Sequence, residues 1–163
     1  MADTTDQIVA DVMQREDRSG TGVVTVDTGG RTQYGISERA NPEAWADHKV
    51  TEDEAREIYE RKYVRIPKFD LIPDDRLRAH LVDFGVHSGP MIAIMKLQSI
   101  VGADVDGIIG PDTLGRLAVT PIDYVRTQLV VARIKMIGRI VSKNPREHLK
   151  GLNGYLNRAC EFL

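Results

Sequence analysis

The chain has 163 residues, and a length of this order predicts one domain with a core of its own. Hydrophobic residues make up 42% and charged residues 28%, which is ordinary for a globular protein and excludes disordered, collagen-like and coiled-coil classes. The 22 basic and 24 acidic residues give a net charge of -2, so no broad basic field favours nucleic acid as a partner. A single cysteine, Cys160, excludes a disulfide framework within the chain.

Two segments bear on membranes and export. The N-terminal run MADTTDQIVADVMQRE has neither a basic start nor an apolar stretch, so it does not predict a secretory signal. The longest apolar run, residues 129–141, is interrupted by Arg133, Lys135 and Arg139, which argues against a membrane span. We therefore predict a chain made in the cytoplasm without stable membrane insertion.

The first part of the chain predicts two helices separated by a β-hairpin. Apolar residues between Ile8 and Met13 recur at the spacing of one helix face. β-branched residues on both sides of Gly29-Gly30 are typical of a hairpin. Thr51, followed three residues later by Glu54, predicts a capping box that opens the second helix. The apolar face of that helix comprises Ala55, Ile58, Tyr59 and Tyr63.

The rest of the chain predicts helices joined by short turns. They are expected to begin near Asp74, Met91, Pro111, Pro121 and Pro145, mostly at cap-and-proline signals. The run DVDG at 104–107 predicts a turn rather than a calcium loop, because isoleucine follows where a polar ligand is needed. Basic residues collect towards the end, at Arg126, Arg133, Lys135, Arg139, Lys143, Arg146 and Lys150. They predict either a solvated face or a contact with an anionic cell wall or outer membrane.

Glu16 is the most informative candidate for chemistry. It follows Val12 by four residues and Met13 by three, which places it on or beside the apolar stripe at the end of the first helix. Burial and the negative end of the helix dipole favour the protonated form of such a carboxyl group, which suits a general acid. Asp27 and Thr32 of the predicted hairpin complete a set that suits glycosidic bond cleavage. The alternative is a solvated surface glutamate and ordinary turn residues.

The segment from Glu16 to Ser37 resembles the signature of glycoside hydrolase family 108, which comprises bacterial and phage N-acetylmuramidases. The run DTGGRTQYGIS at 27–37 is similar to the family's Asp-Pro-Gly-Gly-x-Thr-x-Tyr-Gly-Ile-Thr. Further similar runs follow in the family's order, at 53–59, 84–90, 97–98, 106–114 and 154–158. Several motifs in one order are more specific than any of them alone.

The resemblance implies a mainly α, lysozyme-like fold with one small β-hairpin at the active-site cleft. It implies one muramidase domain over residues 1–163, with a catalytic N-terminal lobe at 1–66 and a helical lobe at 67–163 similar to peptidoglycan-binding modules. The implied activity is hydrolysis of the β-1,4 bond between N-acetylmuramic acid and N-acetylglucosamine. The implied setting is a monomeric phage or prophage endolysin that reaches the wall through a holin-type lesion. Neither a metal nor a cofactor is implied, and the partner is the glycan strand.

The resemblance also assigns roles to residues. Glu16 matches the family's catalytic acid, Asp27 is the candidate second carboxylate, and Thr32 and Tyr34 match polar residues of the cleft. We also predict substrate contacts from His87, which stands where the family has asparagine, and from Trp45, whose ring suits a sugar face. The alternatives are a helix-end histidine bonded to Asp83, four residues before it, and a core tryptophan.

The sequence departs from the family directly after the acid. The family's Gly-Gly-Tyr is Asp17-Arg18-Ser19 here, and the spacing from Glu16 to Asp27 is longer. These changes leave open a catalytically silent, wall-binding protein of the same fold, or a non-wall protein that reuses the scaffold. Inverting and retaining chemistry also stay open, because they depend on the separation of the two carboxyl groups. An endolysin, a virion lysozyme and a toxin are all compatible with the residues.

Overall fold

The computed structural model describes residues 5–17, 22–27, 30–46 and 49–163, with the backbone alone at Asp27. The predicted helix end at Arg18–Gly20 and the Thr28-Gly29 part of the hairpin turn lie outside these residues. The chain divides into two compact units, Met1–Asp70 and Leu71–Leu163. Among the described residues helices dominate and the strands form one small sheet, which confirms the mainly α class.

Two helices pack against each other in the first unit. Helix α1, Thr5–Glu16, buries the apolar residues whose spacing predicted it, and it contacts α2, Glu52–Glu60. The predicted capping box is present. The hydroxyl of Thr51 accepts a bond from the N–H of Glu54 (3.3 Å), and the Glu54 carboxylate accepts one from the N–H of Thr51 (2.8 Å). The cap therefore determines where α2 begins.

Helix α2 continues into a π-helical turn, Arg61–Arg65. The N–H of Ile66 donates to the carbonyl of Arg61, five residues earlier, at 3.0 Å. Such turns are rare and are frequent at functional sites. Sequence patterns based on 3.6 residues per turn did not predict it. The turn carries Tyr63, whose ring centroid lies 5.7 Å from that of Tyr59.

The sheet has three antiparallel strands, β1 (Thr25–Asp27), β2 (Gly30–Gln33) and β3 (Ile36–Ser37), in that order. Strands β1 and β2 are the predicted hairpin, whereas β3 is an addition. Tyr34 and Gly35 join β2 to β3 with φ of 50° and 76°, the pattern of a type I′ turn. Sequence reasoning missed this turn because residues other than glycine, asparagine and aspartate rarely adopt positive φ. Short 3₁₀ segments follow at Pro42–Trp45 and Phe69–Leu71.

The second unit consists of packed helices. They are α3 (Asp75–Ser88), α4 (Pro90–Val101), α5 (Pro111–Val119), α6 (Ile122–Lys143), α7 (Pro145–His148) and α8 (Leu152–Cys160), with a 3₁₀ turn at Leu149–Gly151. Helix α3 packs against α4 and α6, and α6 packs against α8. Asp74 caps α3 by accepting the N–H of Leu77 at 2.7 Å, and it also pairs with Arg126. No described helix combines the length and the apolar character needed to cross a membrane.

A buried ion network lies in the core of the second unit. The Asp83 carboxylate contacts Arg133 at 2.8 Å and Arg158 at 2.9 Å. Burial alone would raise the pKa of Asp83, but the hydrogen bond from Arg158 and the charges of both arginines outweigh burial and hold that pKa below its usual value. Arg133 also lies over the ring of Phe84, 5.2 Å from its centroid. The network thus joins α3, α6 and α8.

His80 lies next to this network, with 1% of its surface exposed. Its ring stacks on Phe162 at 4.5 Å and on Phe84 at 6.1 Å between centroids. Neither ring nitrogen has a hydrogen-bond partner among the described residues. Burial, reinforced by the charge of Arg133 and opposed by Asp83, lowers the pKa of His80 to about 3. The imidazole is therefore neutral at physiological pH.

Gln98 holds the turn between α4 and α5. Its side-chain amide donates to the carboxylate of Asp106 (2.7 Å) and to the carbonyl of Ile108 (3.0 Å), and its oxygen accepts the N–H of Gly107 (2.9 Å). The predicted turn is confirmed. Two runs that are separate in the sequence, Leu-Gln at 97–98 and Asp-Gly-x-x-Gly-Pro at 106–111, are thus in contact through the side chain of Gln98.

Candidate active site

Glu16 is the last residue of α1, and its side chain is exposed. Its neighbours on the stripe, Val12 and Met13, are only 1% and 6% exposed. The expectation that Glu16 is itself buried was wrong, because the helix ends at this residue and the covered part of the apolar face ends with Met13. The carboxyl group is thus at the border between core and solvent, where a polymeric substrate can reach it.

The turn between β2 and β3 lies directly against Glu16. A Cβ atom added to Gly35 would lie 2.8 Å from the Cβ of Glu16 and 2.3 Å from the hydroxyl oxygen of Tyr59. Only glycine permits this approach. The hydroxyl of Tyr59 also donates to the carbonyl of Tyr34 at 3.3 Å. Helix α1, helix α2 and the turn therefore meet at the candidate acid.

Tyr63 is the second aromatic residue near the acid. Burial raises the pKa of Tyr63, and the negative charge of Glu16 raises it further. Neither Tyr59 nor Tyr63 was predicted as a site residue. The only signal in the sequence was their position on the apolar face of one helix.

Tyr34 lines a cleft of about 240 Å³ on the first unit. The cleft is bounded by Ala10, Met13, Gln14, Asp17, Tyr34, Glu52 and Arg56. The Tyr34 ring packs against Gly22, where an added Cβ would lie 2.3 Å from the phenol. Gly22 in turn donates its N–H to the carboxylate of Asp17 at 3.1 Å and accepts the amide of Gln33 at 2.7 Å. Asp17, one of the departures from the family pattern, thus binds the backbone of the segment that follows α1.

Thr32 belongs to a row of hydroxyl-bearing residues. Its Cα partners across the sheet are Thr25 of β1 and Ser37 of β3. Directly opposed residues share a face of the sheet, so the three side chains form one row. Ile36, the neighbour of Ser37, is buried, and alternation places the hydroxyl row on the opposite face from this core residue. Of Asp27, at the end of β1, only the backbone is described, and its role stays a prediction.

Trp45 does not offer its ring to a sugar. It is 3% exposed, and its indole N–H donates to the carbonyl of Ile36 at 3.3 Å. The guanidinium of Arg31 covers the ring at 4.7 Å from the centroid, and Arg31 itself pairs with Glu38 at 2.9 Å. The prediction of a substrate contact for Trp45 was therefore wrong, and this tryptophan is a core residue beside the sheet.

His87 belongs to the second unit, in the last turn of α3. Its ring centroid lies 5.0 Å from that of Tyr155, and its Nδ1 lies 3.5 Å from the hydroxyl of Ser88. Together with His148, Tyr155 and apolar residues of α6, it lines a cleft of about 250 Å³ on that unit. A contact between His87 and substrate stays a prediction.

The arrangement of helices and strands defines the fold class of the protein. A mainly helical chain with a small antiparallel sheet, in which a glutamate ends the first helix beside the sheet, has a lysozyme-like fold. Residues 9–89 match the family model described as glycosyl hydrolase 108. The matched segment includes Glu16, Thr32, Tyr34, Tyr59 and Tyr63, and the family resemblance of the sequence is confirmed.

Solved structures support the same fold over the whole chain. The structure of SagA from Brucella abortus is similar with a TM-score of 0.70 and 27% sequence identity. The similarity covers 97% of this chain and 94% of that chain. None of the curated proteins compared with the chain matches it.

Proposed function

We propose that the protein is an N-acetylmuramidase that hydrolyses the β-1,4 bond between N-acetylmuramic acid and N-acetylglucosamine in peptidoglycan. One observation carries the proposal. An exposed glutamate ends α1, the β2–β3 turn lies against it at Gly35, and both belong to the segment that matches a glycosidase family. The glycan strand is the proposed partner, and the proposed active form is a monomer without a metal or a cofactor.

In the proposed mechanism Glu16 is the general acid. It gives its proton to the glycosidic oxygen while the bond from that oxygen to the anomeric carbon breaks. The carbon acquires oxocarbenium character, which Asp27 stabilises as the second carboxylate. Water then supplies the new hydroxyl, either directly with Asp27 as base or after a covalent intermediate on Asp27. On the direct route Asp27 takes a proton from the water, and exchange with solvent then restores both carboxyl groups. On the covalent route Glu16, now a carboxylate, takes that proton and becomes the acid again. Both routes produce a free reducing end.

The remaining predicted residues receive positioning roles in this proposal. The hydroxyl of Thr32, in the middle of its row, holds the attacking water or a sugar hydroxyl. Tyr34 contacts the glycan from the cleft that it lines. A substrate contact from His87 is also proposed, from the cleft that this residue lines on its own unit. The biological role that we propose is a phage or prophage endolysin that acts in the periplasm after release through a holin-type lesion, which rests on the family resemblance alone.

The test is product analysis on purified peptidoglycan sacculi. Soluble fragments are reduced with borohydride and identified by mass spectrometry for the wild type and Glu16→Gln. We expect reduced N-acetylmuramic acid at the new ends, and a rate at least about a hundredfold lower for Glu16→Gln, since general acid catalysis contributes roughly 10²–10⁴. Glu57→Gln, exposed on α2, is the matched control with an unchanged rate. Reduced N-acetylglucosamine ends would refute the bond assignment, and equal rates for Glu16→Gln would refute the acid.

One alternative has an observation in its favour. Asp17 replaces a glycine directly after the acid, and its carboxylate is bound to the backbone of Gly22. A second carboxylate at this position favours a protein that binds the wall without cleaving it. In the same assay, sedimentation with sacculi without release of fragments supports this alternative. Failure to bind sacculi at all supports a protein that works outside the wall.

A further inference from the structure

We propose that the end of α6 and the segment after it form a peripheral binding surface for an anionic lipid bilayer. This basic surface consists of exposed cations with exposed apolar residues among them: Lys135, Arg139, Ile140, Lys143, Arg146, Leu149 and Lys150. Binding to it requires neither peptidoglycan nor hydrolysis, so the proposal is independent of the proposed function.

The first step is the concentration of charge. Residues 135–150 contain five of the 22 basic residues of the chain and only one of its 24 acidic residues, Glu147. The five basic side chains are all exposed, and none of them forms an ion pair with a residue that the structure describes. Glu147 lies 3.8 Å from His148 instead. The segment is therefore strongly positive in a chain whose net charge is -2, and its charges are open to an external anion.

The second step is the arrangement of the cations on α6. Lys135, Arg139 and Lys143 follow one another at intervals of four residues, and residues at this interval are neighbours on a helix surface. The opposite side of the helix carries buried residues such as Ile137 and Val141. The three cations thus form one row on the solvent side of α6.

The third step connects this row to the next segment. Helix α7 begins two residues after α6 ends, and the two helices are in contact. Ile140 of α6 and His148 of α7 line the same cleft, so the two elements lie side by side there. Arg146 and Lys150 are exposed on either side of His148 in the chain. They continue the positive charge beyond the end of α6.

The fourth step is the choice of a lipid over other anions. Ile140 is 43% exposed and Leu149 is 61% exposed, and each lies next to a cation in the chain, Arg139 and Lys150 respectively. Apolar side chains gain nothing from a soluble polyanion. A bilayer offers phosphate groups to the cations and the border of its acyl region to the apolar side chains. An anionic bilayer is therefore the partner that matches both parts of the surface.

The first experiment measures cosedimentation of the whole protein with lipid vesicles at about 0.1 M salt, where the Debye length is about 10 Å. Vesicles of phosphatidylcholine alone are compared with vesicles that also contain phosphatidylglycerol. We expect partition into the anionic vesicles to be at least about tenfold stronger, and to weaken as the salt concentration rises. Equal partition into both kinds of vesicle, or no partition into either, would overturn the proposal.

The second experiment assigns the binding to the basic surface. The triple variant Arg139→Gln/Lys143→Gln/Arg146→Gln removes three of the five charges. We expect its partition into anionic vesicles to be roughly tenfold weaker or more, because each cation near a bilayer surface contributes separately to binding. Circular dichroism and the melting temperature check that the variant is folded.

The matched control for this variant removes the same number of exposed charges from the first unit, as Arg39→Gln/Lys49→Gln/Arg61→Gln. We expect its partition to stay within about twofold of the wild type, since cations farther than a Debye length from the lipid contribute little. Equal losses in the two triple variants would show that net charge alone is responsible and would overturn the proposed surface.

The third experiment distinguishes a bilayer from an anionic polymer. Ile140→Ser/Leu149→Ser keeps every charge and removes the two exposed apolar side chains. We expect partition into anionic vesicles to fall several-fold, while retention on immobilised heparin stays unchanged. Unchanged partition of this variant would contradict an apolar contact with lipid. A wild type that heparin retains and that anionic vesicles do not bind would assign the surface to a polyanion, and both results would overturn the proposal.

Discussion

Gly35 lies between the side chain of Glu16 and the hydroxyl of Tyr59, with a φ of 76° that residues with a Cβ rarely adopt. Gly35→Ala would therefore add both backbone strain and two clashes below 3 Å. We expect the variant to lose roughly 1–3 kcal/mol of unfolding free energy. We also expect it to lose most of its activity on sacculi, because the turn must move away from the acid.

Denaturation curves and initial rates measured side by side check this expectation. Gly115→Ala is the matched control, because a Cβ there meets nothing within 4 Å and α5 favours alanine. That control is expected to be neutral or stabilising by up to about 1 kcal/mol. A Gly35→Ala protein as stable and as active as the wild type would contradict the close approach.

At the scale of single residues, the sequence pointed to Glu16 but not to the residues around it. Glu16 was identified by its spacing to an apolar stripe and by the motif that follows. Tyr59 and Tyr63 were interpreted as one apolar face, because helical spacing does not show that the Tyr59 hydroxyl reaches the turn beside the candidate acid. For Trp45 the error was the reverse: a core residue was predicted as a substrate contact, because the sequence does not show that Arg31 covers its ring.

At the scale of elements, the row of hydroxyl-bearing residues predicts that substitutions on different strands of the sheet differ in their effect on the rate. Thr32→Val keeps the shape of the side chain and removes its hydroxyl from the central strand. We expect the rate on sacculi to fall roughly ten- to a hundredfold, as for the loss of one preorganised polar group at a reacting centre. Thr25→Val, in the same row on edge strand β1, is expected to have a smaller effect. Initial rates with circular dichroism as a folding check test the order, and an equal loss for both variants would contradict a special role for Thr32.

The elements themselves were predicted unevenly. Helix starts were found wherever a cap or a proline marks them, as at Thr51 and Asp74, because these signals are local chemistry. Strand β3 and the π-helical turn were missed. Tyr34 has no propensity for positive φ, and the turn at Arg61–Arg65 carries no residue that breaks an ordinary helix. Neither feature therefore has a local sequence signal that could have predicted it.

At the scale of the whole molecule, the buried ion network predicts how the second unit responds to the loss of a charge. Arg158→Met removes one of the two arginines that hold the Asp83 carboxylate. We expect the variant to lose roughly 2–4 kcal/mol of unfolding free energy, since the buried carboxylate of Asp83 then lacks one of its two positively charged partners. Urea denaturation measures it, with Arg139→Met on the exposed side of α6 as a control. A loss no larger than that of the control would contradict a stabilising network.

The same region predicts a pH dependence of stability. The pKa of His80 is lowered to about 3 in the folded protein, so below the usual pKa of about 6.5 the unfolded chain binds a proton that the folded chain does not. Stability is therefore expected to fall as the pH drops from about 6.5 towards 3, by up to ~1.4 kcal/mol per pH unit from this group. Asp83, whose folded pKa is depressed, adds a further loss once the pH falls below the usual carboxylate range.

His80→Phe tests the histidine part, because it keeps the stack on Phe84 and Phe162 and removes the titrating group. Unfolding free energies are measured at about pH 7.0, 5.5 and 4.5, which bracket the histidine range. They are expected to depend less on pH for this variant than for the wild type. Parallel curves for the two proteins would show that His80 does not contribute.

The sequence contained the partners of this network without showing that they meet. Arg158 belongs to the Gly-Tyr-Leu-Asn-Arg run and Asp83 directly precedes the run at 84–90, and the two residues are 75 positions apart in the chain. Charge patterns on a helix relate residues three or four positions apart, so a pair at this distance escapes them. The structure thereby gives a physical reason for an arginine that the sequence only matched to a motif.

The π-helical turn also has a consequence for comparing homologues. A π-helical turn holds one residue more than an α-helical turn, so removing one residue from Arg61–Arg65 would restore α-helical winding and leave the residues beyond the turn in their orientation. In an alignment, such a change appears as a single gap within the counterparts of Arg61–Arg65. Residues on the two sides of this gap are expected to stay equivalent in space, although their spacing along the chain differs by one.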